Sequence, residues 1–399
     1  MQRLFIPITL ILLTLAVALY LPRGFSFNPP APPVAPQPGV PETQGKRIEV
    51  VFALDTTGSM GGLIQAAKDK IWSIASTMAA ADPAPEIAIG LVAYRDRGDD
   101  YVTRVFDLTT DLDAIYAQLI AFQADGGGDG PESVNKALDD ALHAISWTER
   151  ADTYRTLFLV GDAPAHMDYQ GERRYPELAR IAAARGIVIN TIRCGAQADT
   201  GAQWQQIAQA TQGHFFTVTQ NGGAVAIATP FDARMAELSA QLDETRLGYG
   251  SKADKAAAQA RREATAALQA KAPVAALARR GAFNTSAAGK ANLFGSKDLI
   301  EDIERGAITL SAVPVEALPD ALAELEPEAR PAAIRARKAR RDALRDQLKA
   351  LSEERDAFLT KEAEAAPALA ESLDYQIFEA VKEQGSERGL SYSERAPKL

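Results

Sequence analysis

Asp55, Thr57 and Ser59 place three hard oxygen donors within one five-residue turn, Asp55-Thr56-Thr57-Gly58-Ser59. A carboxylate and two hydroxyls offered together suit a small hard cation such as Mg²⁺, which takes carboxylate, hydroxyl and water oxygens. Two further segments carry related chemistry. Gly126-Gly127-Gly128-Asp129-Gly130-Pro131-Glu132 is a loop whose glycines let backbone approach a ligand closely. Gly161-Asp162-Ala163-Pro164 closes an apolar run with another aspartate.

Each segment needs an element to position it. Residues 47–54 before the first turn are apolar and β-branched, which reads as a buried strand. Strand-like runs recur at 86–94, 102–108, 154–160, 187–193 and 214–218. Helical patterns lie between them at 60–80, 112–122, 132–146, 175–185 and 202–211. Such alternation predicts an α/β fold with a mostly parallel sheet covered on both faces. The second and third strands are joined by a short polar loop, so that pair is expected to be an antiparallel hairpin at an edge. Ligands of open sheets bind outside the carboxyl ends of the strands, the rim where Asp55 and Asp162 fall.

In order and in context, the three segments resemble the metal-ion-dependent adhesion site of von Willebrand factor type A (vWA) domains, Asp-x-Ser/Thr-x-Ser, then Thr or Asp, then Asp. The resemblance implies a Rossmann-like, doubly wound, six-stranded sheet of order 3-2-1-4-5-6 over 47–220. It also implies that Asp55, Thr57, Ser59, Asp129 and Asp162 hold Mg²⁺ or Mn²⁺, with an open position for a partner's carboxylate. Asp129 stands where many adhesion members carry Thr; an added anionic ligand should strengthen cation binding and weaken attraction for an incoming carboxylate. Asp125 is a spare ligand on the same loop. Tyr94-Arg95-Asp96 and the glycine-rich loop look closer to the vWA domains that accompany alpha-kinases and to exported bacterial members than to integrins. The segment 292–325 is similar to helical tails on such exported proteins.

The net charge of −9 and a pI near 5.1 argue against nucleic acid as a partner. Cys194 is the sole cysteine and there are three histidines, so no internal disulfide or thiolate cluster is available. Arg3 and the apolar run 4–21 read as a signal peptide or signal anchor (1–22), with Ala16-Val17-Ala18 as a cleavage site. Residues 23–46 contain a proline-rich tether of extended, semi-rigid character. The expected location is periplasmic, anchored to the inner membrane by residues 4–21, or secreted after cleavage.

Residues 225–399 turn Ala-, Glu- and Arg-rich, an expected helical module. Phe231, Met235, Leu238 and Leu242 have helical spacing, as do Leu344, Leu348, Leu351 and Phe358. Arg335, Arg337, Lys338, Arg340 and Arg341 read with Glu353, Glu354 and Asp356 as solvated faces. Trp72 and Trp147 are expected in helices and in the core, and Cys194 as a buried small hydrophobe. His166, close after Asp162, reads as hydrogen-bonding scaffold. The rim loop 95–100 reads equally as a specificity element and as a solvated turn.

The function these features predict is a metal-dependent protein-binding module, with no nucleophile–base signature. One alternative is phosphoryl transfer of the haloacid dehalogenase type with Asp55 as nucleophile, since Asp55–Ser59 resembles that family's Asp-Lys-Thr-Gly-Thr. It lacks a second Asp and a convincing Lys. The other is a structural periplasmic protein with a vestigial site.

Overall fold

The protein is described here from a computed structural model covering residues 45–128, 130–218, 227–365 and 372–392. The expected signal or anchor segment and all of the tether except its last two residues fall outside the described residues. No helix among the described residues is long and apolar enough to cross a membrane.

The centre of the sheet is β1, Arg47–Asp55, paired in parallel with β2, Glu86–Tyr94, on one side and β4, Tyr154–Gly161, on the other. β3, Thr103–Thr109, runs antiparallel to β2 at the edge, while β5, Ile187–Cys194, and β6, Phe215–Val218, extend the other half in parallel. The order is β3-β2-β1-β4-β5-β6, as the resemblance implied. β1, β2, β4 and β5 are almost wholly buried because helices cover both faces, which is why their sequences are continuous apolar runs rather than alternating ones. The exception within β1 is Glu49, buried yet satisfied by Arg47 Nε at 2.8 Å and the Thr148 N–H at 3.0 Å.

One face carries α1, Leu63–Ala79, and α2, Leu112–Ala121; the other carries α3, Val134–His143, α4, Tyr175–Ala184, and α5, Ala198–Ala210. The first helix starts later than the pattern 60–80 predicts. A 3₁₀ turn, Gly58–Met60, and the Gly61-Gly62 pair separate it from the Asp55 turn, since glycine disfavours the helix interior. The helix expected over 132–146 is also shorter, so Trp147 lies beyond its end and not in a helix. It is buried there, its Nε1 donating to the Ala141 carbonyl at 2.7 Å. Trp72 and Cys194 are buried as expected.

The remaining helices are α6, Asp232–Asp243; α7, Lys252–Lys271; α8, Val274–Thr285; α9, Ala287–Phe294; α10, Leu299–Glu304; α11, Asp320–Ala323; α12, Arg330–Ala365; and α13, Leu373–Ser386. They form a second layer on the α1–α2 side: α8 and α13 pack on α1, and α7 packs on α2. Trp72 of α1 sits between Tyr116 of α2 and Phe283 of α8, with ring centroids 5.5 and 5.7 Å away. Farther out, Met235, Leu238 and Leu242 meet Leu344 and Leu348, so both periodicities read in this region are real buried stripes. Gln384 of α13 accepts from the Tyr154 hydroxyl at 2.6 Å and from Asn190 Nδ2 at 3.1 Å beneath the sheet. The expected placement of the basic run also fails at one residue. Arg341 is not on a solvated face: it is 1 % exposed and bonded to both carboxylate oxygens of Asp298 at 2.8 and 3.0 Å.

Candidate metal centre

β1 delivers Asp55 to the sheet rim, fully buried. Its Oδ1 accepts from the Thr57 N–H at 2.9 Å and the Thr57 hydroxyl at 2.6 Å, while Oδ2 is buried without a hydrogen-bond partner among the described residues. Thr57 Oγ1 lies 3.2 Å from Ser59 Oγ, and Ser59 Oγ donates to Asp162 Oδ1 at 2.9 Å. Asp55, Thr57, Ser59 and Asp162 therefore form one continuous run of oxygens. They meet because β1 and β4 are neighbours in register, Leu54 beside Val160, and both chains leave the sheet at the same end. This is the switch point between the two halves of the sheet, where crossovers diverge and leave a crevice.

Close approach here depends on glycine. A Cβ on Gly161 would stand 2.4 Å from the Tyr94 hydroxyl and 2.9 Å from Asp55 Oδ2. Gly127, at φ +76°, leaves room for Thr57 and Glu132, each 2.8 Å from where its Cβ would be. The glycine-rich loop is laced to the first turn by Gly58 N–H to the Gly126 carbonyl, 3.1 Å, and Asp125 N–H to the Thr56 carbonyl, 3.2 Å. Asp125 does not join the oxygen run; its side chain is exposed, 3.9 Å from the Arg95 guanidinium. Asp129 falls outside the described residues.

Glu132 is the residue that sequence reading did not single out. It is 2 % exposed, with Oε2 lacking a partner among the described residues, and its N–H donates to the Pro164 carbonyl at 2.9 Å. Its signal was available: a glutamate directly before the first turn of an apolar helix, on the same loop as the glycines.

The rim loop is split in character. Arg95 and Asp96 are buried, whereas Arg97, Gly98 and Asp100 are exposed. Asp96 accepts from the Ser133 hydroxyl at 2.8 Å and the Tyr169 hydroxyl at 2.7 Å. Asp99 accepts from the Gly127 N–H at 3.0 Å. His166 lies between two carboxylates, Nδ1 2.8 Å from Asp168 and Nε2 3.4 Å from Asp96, and stacks on Tyr169. It is part of the loop scaffold.

Burial raises the Asp55 carboxyl to about 7, against the pull of the Thr57 donors, and Asp162 adds to the rise. Burial also lifts Glu132 to about 9, reinforced by Asp55, Asp96, Asp99 and Asp162. Asp162 is raised by burial, and the Tyr94 phenol is raised by burial and by Asp55. Carboxylates so placed resist ionisation in isolation and gain most from an added cation. The donor set fits a hard divalent ion: all oxygen, with one buried carboxylate oxygen unengaged. Among the described residues no group of three or more His, Cys, Asp and Glu side chains is arranged to hold a metal, so the set rests on Asp55, Asp162 and the two hydroxyls.

The family profile described as von Willebrand factor A domain matches residues 49–229. That segment is a von Willebrand factor A domain. The vWA match begins in β1 and ends just before α6. Among solved structures, the chain is similar to the VWA domain of SpRpn10 at 16 % identity, covering 44 % of this chain and 89 % of that one, with a TM-score of 0.34. It is also similar to proximal thread matrix protein 1 from the mussel byssus at 14 % identity and a TM-score of 0.34, covering 44 % of this chain and 43 % of that one. A structure of the mussel protein described as having a zinc-occupied MIDAS motif matches at 16 % identity, with the same coverage and TM-score. No curated protein matches the chain.

Proposed function

We propose that the vWA domain is a divalent-metal-dependent protein-binding module, with Mg²⁺ or Mn²⁺ held by Asp55, Thr57, Ser59, Asp129 and Asp162. The observation that carries this reading is the buried, unengaged Asp55 Oδ2 at one end of the Asp55–Thr57–Ser59–Asp162 oxygen run. When bound, such an ion supplies a Lewis-acidic position for an acidic side chain of a protein partner. The chain's own residues do the rest: Thr57 fixes one Asp55 oxygen, Ser59 orients Asp162, and the glycine-rich loop keeps the crevice narrow. The N-terminal segment would export the protein and tether it at the periplasmic face of the inner membrane.

The test is calorimetric titration of Mg²⁺, Mn²⁺ and Zn²⁺ into the full chain in mild detergent, beside Asp55→Ala. Saturable binding that the variant loses, with its fold intact by circular dichroism, supports the reading. Equal binding by both proteins would sink it.

A further inference from the structure

Away from the rim, a cavity of about 220 Å³ lies where the C-terminal helices meet the N-cap of α2. Arg246, Arg261, Arg262 and Lys297 line it, together with three carboxylates. The carboxylates are already committed. Asp111 caps α2 through the Ala114 N–H at 3.1 Å and lies 3.3 Å from Arg261 Nε. Asp254 accepts from the Ser251 N–H and hydroxyl at 2.8 and 2.7 Å in the capping box of α7. Asp298 takes both arms of Arg341 and the N–H groups of Leu247, Ile300 and Glu301.

The cations are not equally satisfied. Arg246 is 8 % exposed; its outer nitrogens reach Thr265 at 2.9 Å, Asp243 at 2.6 Å and Asp113 at 3.5 Å, but its Nε has no acceptor among the described residues. A buried guanidinium N–H without an acceptor costs free energy that a bound anion would recover. Arg262 meets the Gln259 side-chain oxygen at 3.1 and 2.7 Å and Lys297 lies over the Tyr249 ring at 5.7 Å; they feel Asp320 and Asp254 respectively, but neither is within ion-pair distance of a carboxylate among the described residues. Burial lowers the Arg261 pKa, Asp111 opposes that, and the nearby Arg246 charge adds to it. Four cations thus face three carboxylates in a partly enclosed space, and Arg262 and Lys297 are the two left without an ion pair among the described residues.

Two glycines shape the walls. A Cβ on Gly248 would lie 2.4 Å from Ala258 Cβ, and Gly295, at φ +65°, faces the Arg261 guanidinium 3.3 Å from where its Cβ would be. Ala257, Ala258 and Phe294 give one side an apolar surface. The volume is below the roughly 300–1,000 Å³ of pockets that enclose drug-sized ligands, so only a small molecule fits.

We propose that this cavity binds the phosphate of a small phosphomonoester, with Arg246, Arg261, Arg262 and Lys297 around the oxyanion and the organic group against Ala257, Ala258 and Phe294. Guanidinium forks match phosphate oxygens in pairs, and an anion would supply the acceptor that the Arg246 Nε lacks and a counter-charge for Arg262 and Lys297. The site is separate from the metal centre and does not depend on that reading.

The experiment is calorimetric titration of phenyl phosphate and of inorganic phosphate into the full chain in mild detergent. EDTA is kept present so that phosphate cannot bind through a metal ion. Arg262→Gln combined with Lys297→Gln is the comparison, since both side chains are exposed and neither pairs with a buried acid. We expect saturable phenyl phosphate binding, tighter than inorganic phosphate, and a loss on the order of ten-fold or more in the double variant. Its thermal midpoint without ligand should match that of the wild type. Absence of saturable binding to the folded wild type would overturn the proposal, and so would equal affinity in the two proteins. Equal affinity for phenyl phosphate and inorganic phosphate would overturn the assigned organic subsite.

Discussion

Ser59 Oγ donates to Asp162 Oδ1 at 2.9 Å, joining two side chains that are 103 residues apart in the chain. The bond ties the β1 turn directly to the residue that follows β4. Removing it should uncouple Asp162 from the rest of the oxygen run. Ser59→Ala is expected to cost about 1 kcal/mol of stability, the usual net worth of one hydrogen bond. It should weaken Mn²⁺ binding far more, on the order of ten-fold or greater, because a ligand is lost and another is misplaced. Ser59→Thr keeps the hydroxyl and should retain most of the affinity. Titration of the three proteins checks this, and a Ser59→Ala affinity equal to wild type would rule out the role.

The strands and the metal motif were legible in the sequence for one reason: parallel strands covered on both faces need unbroken apolar runs, and their polar ends stand out against them. The antiparallel edge hairpin followed from a connection too short for a crossover. Arg341 was illegible because a buried ion pair uses the same residue types as a solvated surface, and nothing within α12 reveals that Asp298, far off in sequence, fills its fork. Trp147 was misplaced by a helical pattern that ran past the real end of α3. Glu132 was overlooked because its burial arises from the Pro164 and glycine-rich loops closing over it, a tertiary event.

The contribution of Asp55 to metal-free stability should fall as pH rises. Asp55 goes from an ordinary carboxyl value of 3.8 to about 7 on folding, so the folded state holds its proton more tightly than the unfolded one. That contribution is complete below pH 4 and is lost as pH rises through 7; at full size it is about 4 kcal/mol. Glu132 extends the same trend towards pH 9. In EDTA, the thermal midpoint of Asp55→Asn relative to wild type should therefore climb between pH 4 and pH 7. Metal affinity should run the other way, strengthening over that interval as the competing proton leaves. A difference between the two midpoints that is independent of pH would show that Asp55 ionises normally.

Gly161→Ala tests the crowding behind Asp55. The new methyl would collide with the Tyr94 hydroxyl and Asp55 Oδ2, neither of which has space to retreat in the buried rim. Overpacking of this kind costs about 1–3 kcal/mol. Because one of the displaced atoms is the unengaged carboxylate oxygen, metal affinity should fall together with stability. Combining Gly161→Ala with Tyr94→Phe removes the nearest clash and should restore part of the stability. Chemical denaturation and Mn²⁺ titration of both variants measure the two effects separately. Unchanged metal binding in Gly161→Ala would mean that the crevice is wider than the contacts indicate.

Arg280 fastens the helical layer to the vWA domain. At 1 % exposure it donates to Asp113 of α2 through Nε at 2.7 Å and Nη2 at 2.6 Å, and to Asp243 of α6 through Nη1 at 2.9 Å and Nη2 at 2.8 Å. Burial alone would push Asp113 up, yet Arg280 and then Arg246 hold it well below the ordinary carboxylate range. A carboxyl depressed by folding gives stability that is present above its unfolded value and is lost as pH falls. Arg280→Met leaves two buried acids facing Arg246 alone, so a loss of about 3–5 kcal/mol is expected. Adding Asp113→Leu removes one of the stranded charges and should recover much of that loss, since apolar replacements of buried pairs are often close to neutral. Urea unfolding of wild type, single and double variants decides the matter. A double variant no more stable than Arg280→Met would mean that Arg280 acts through packing alone and not through its ion pairs.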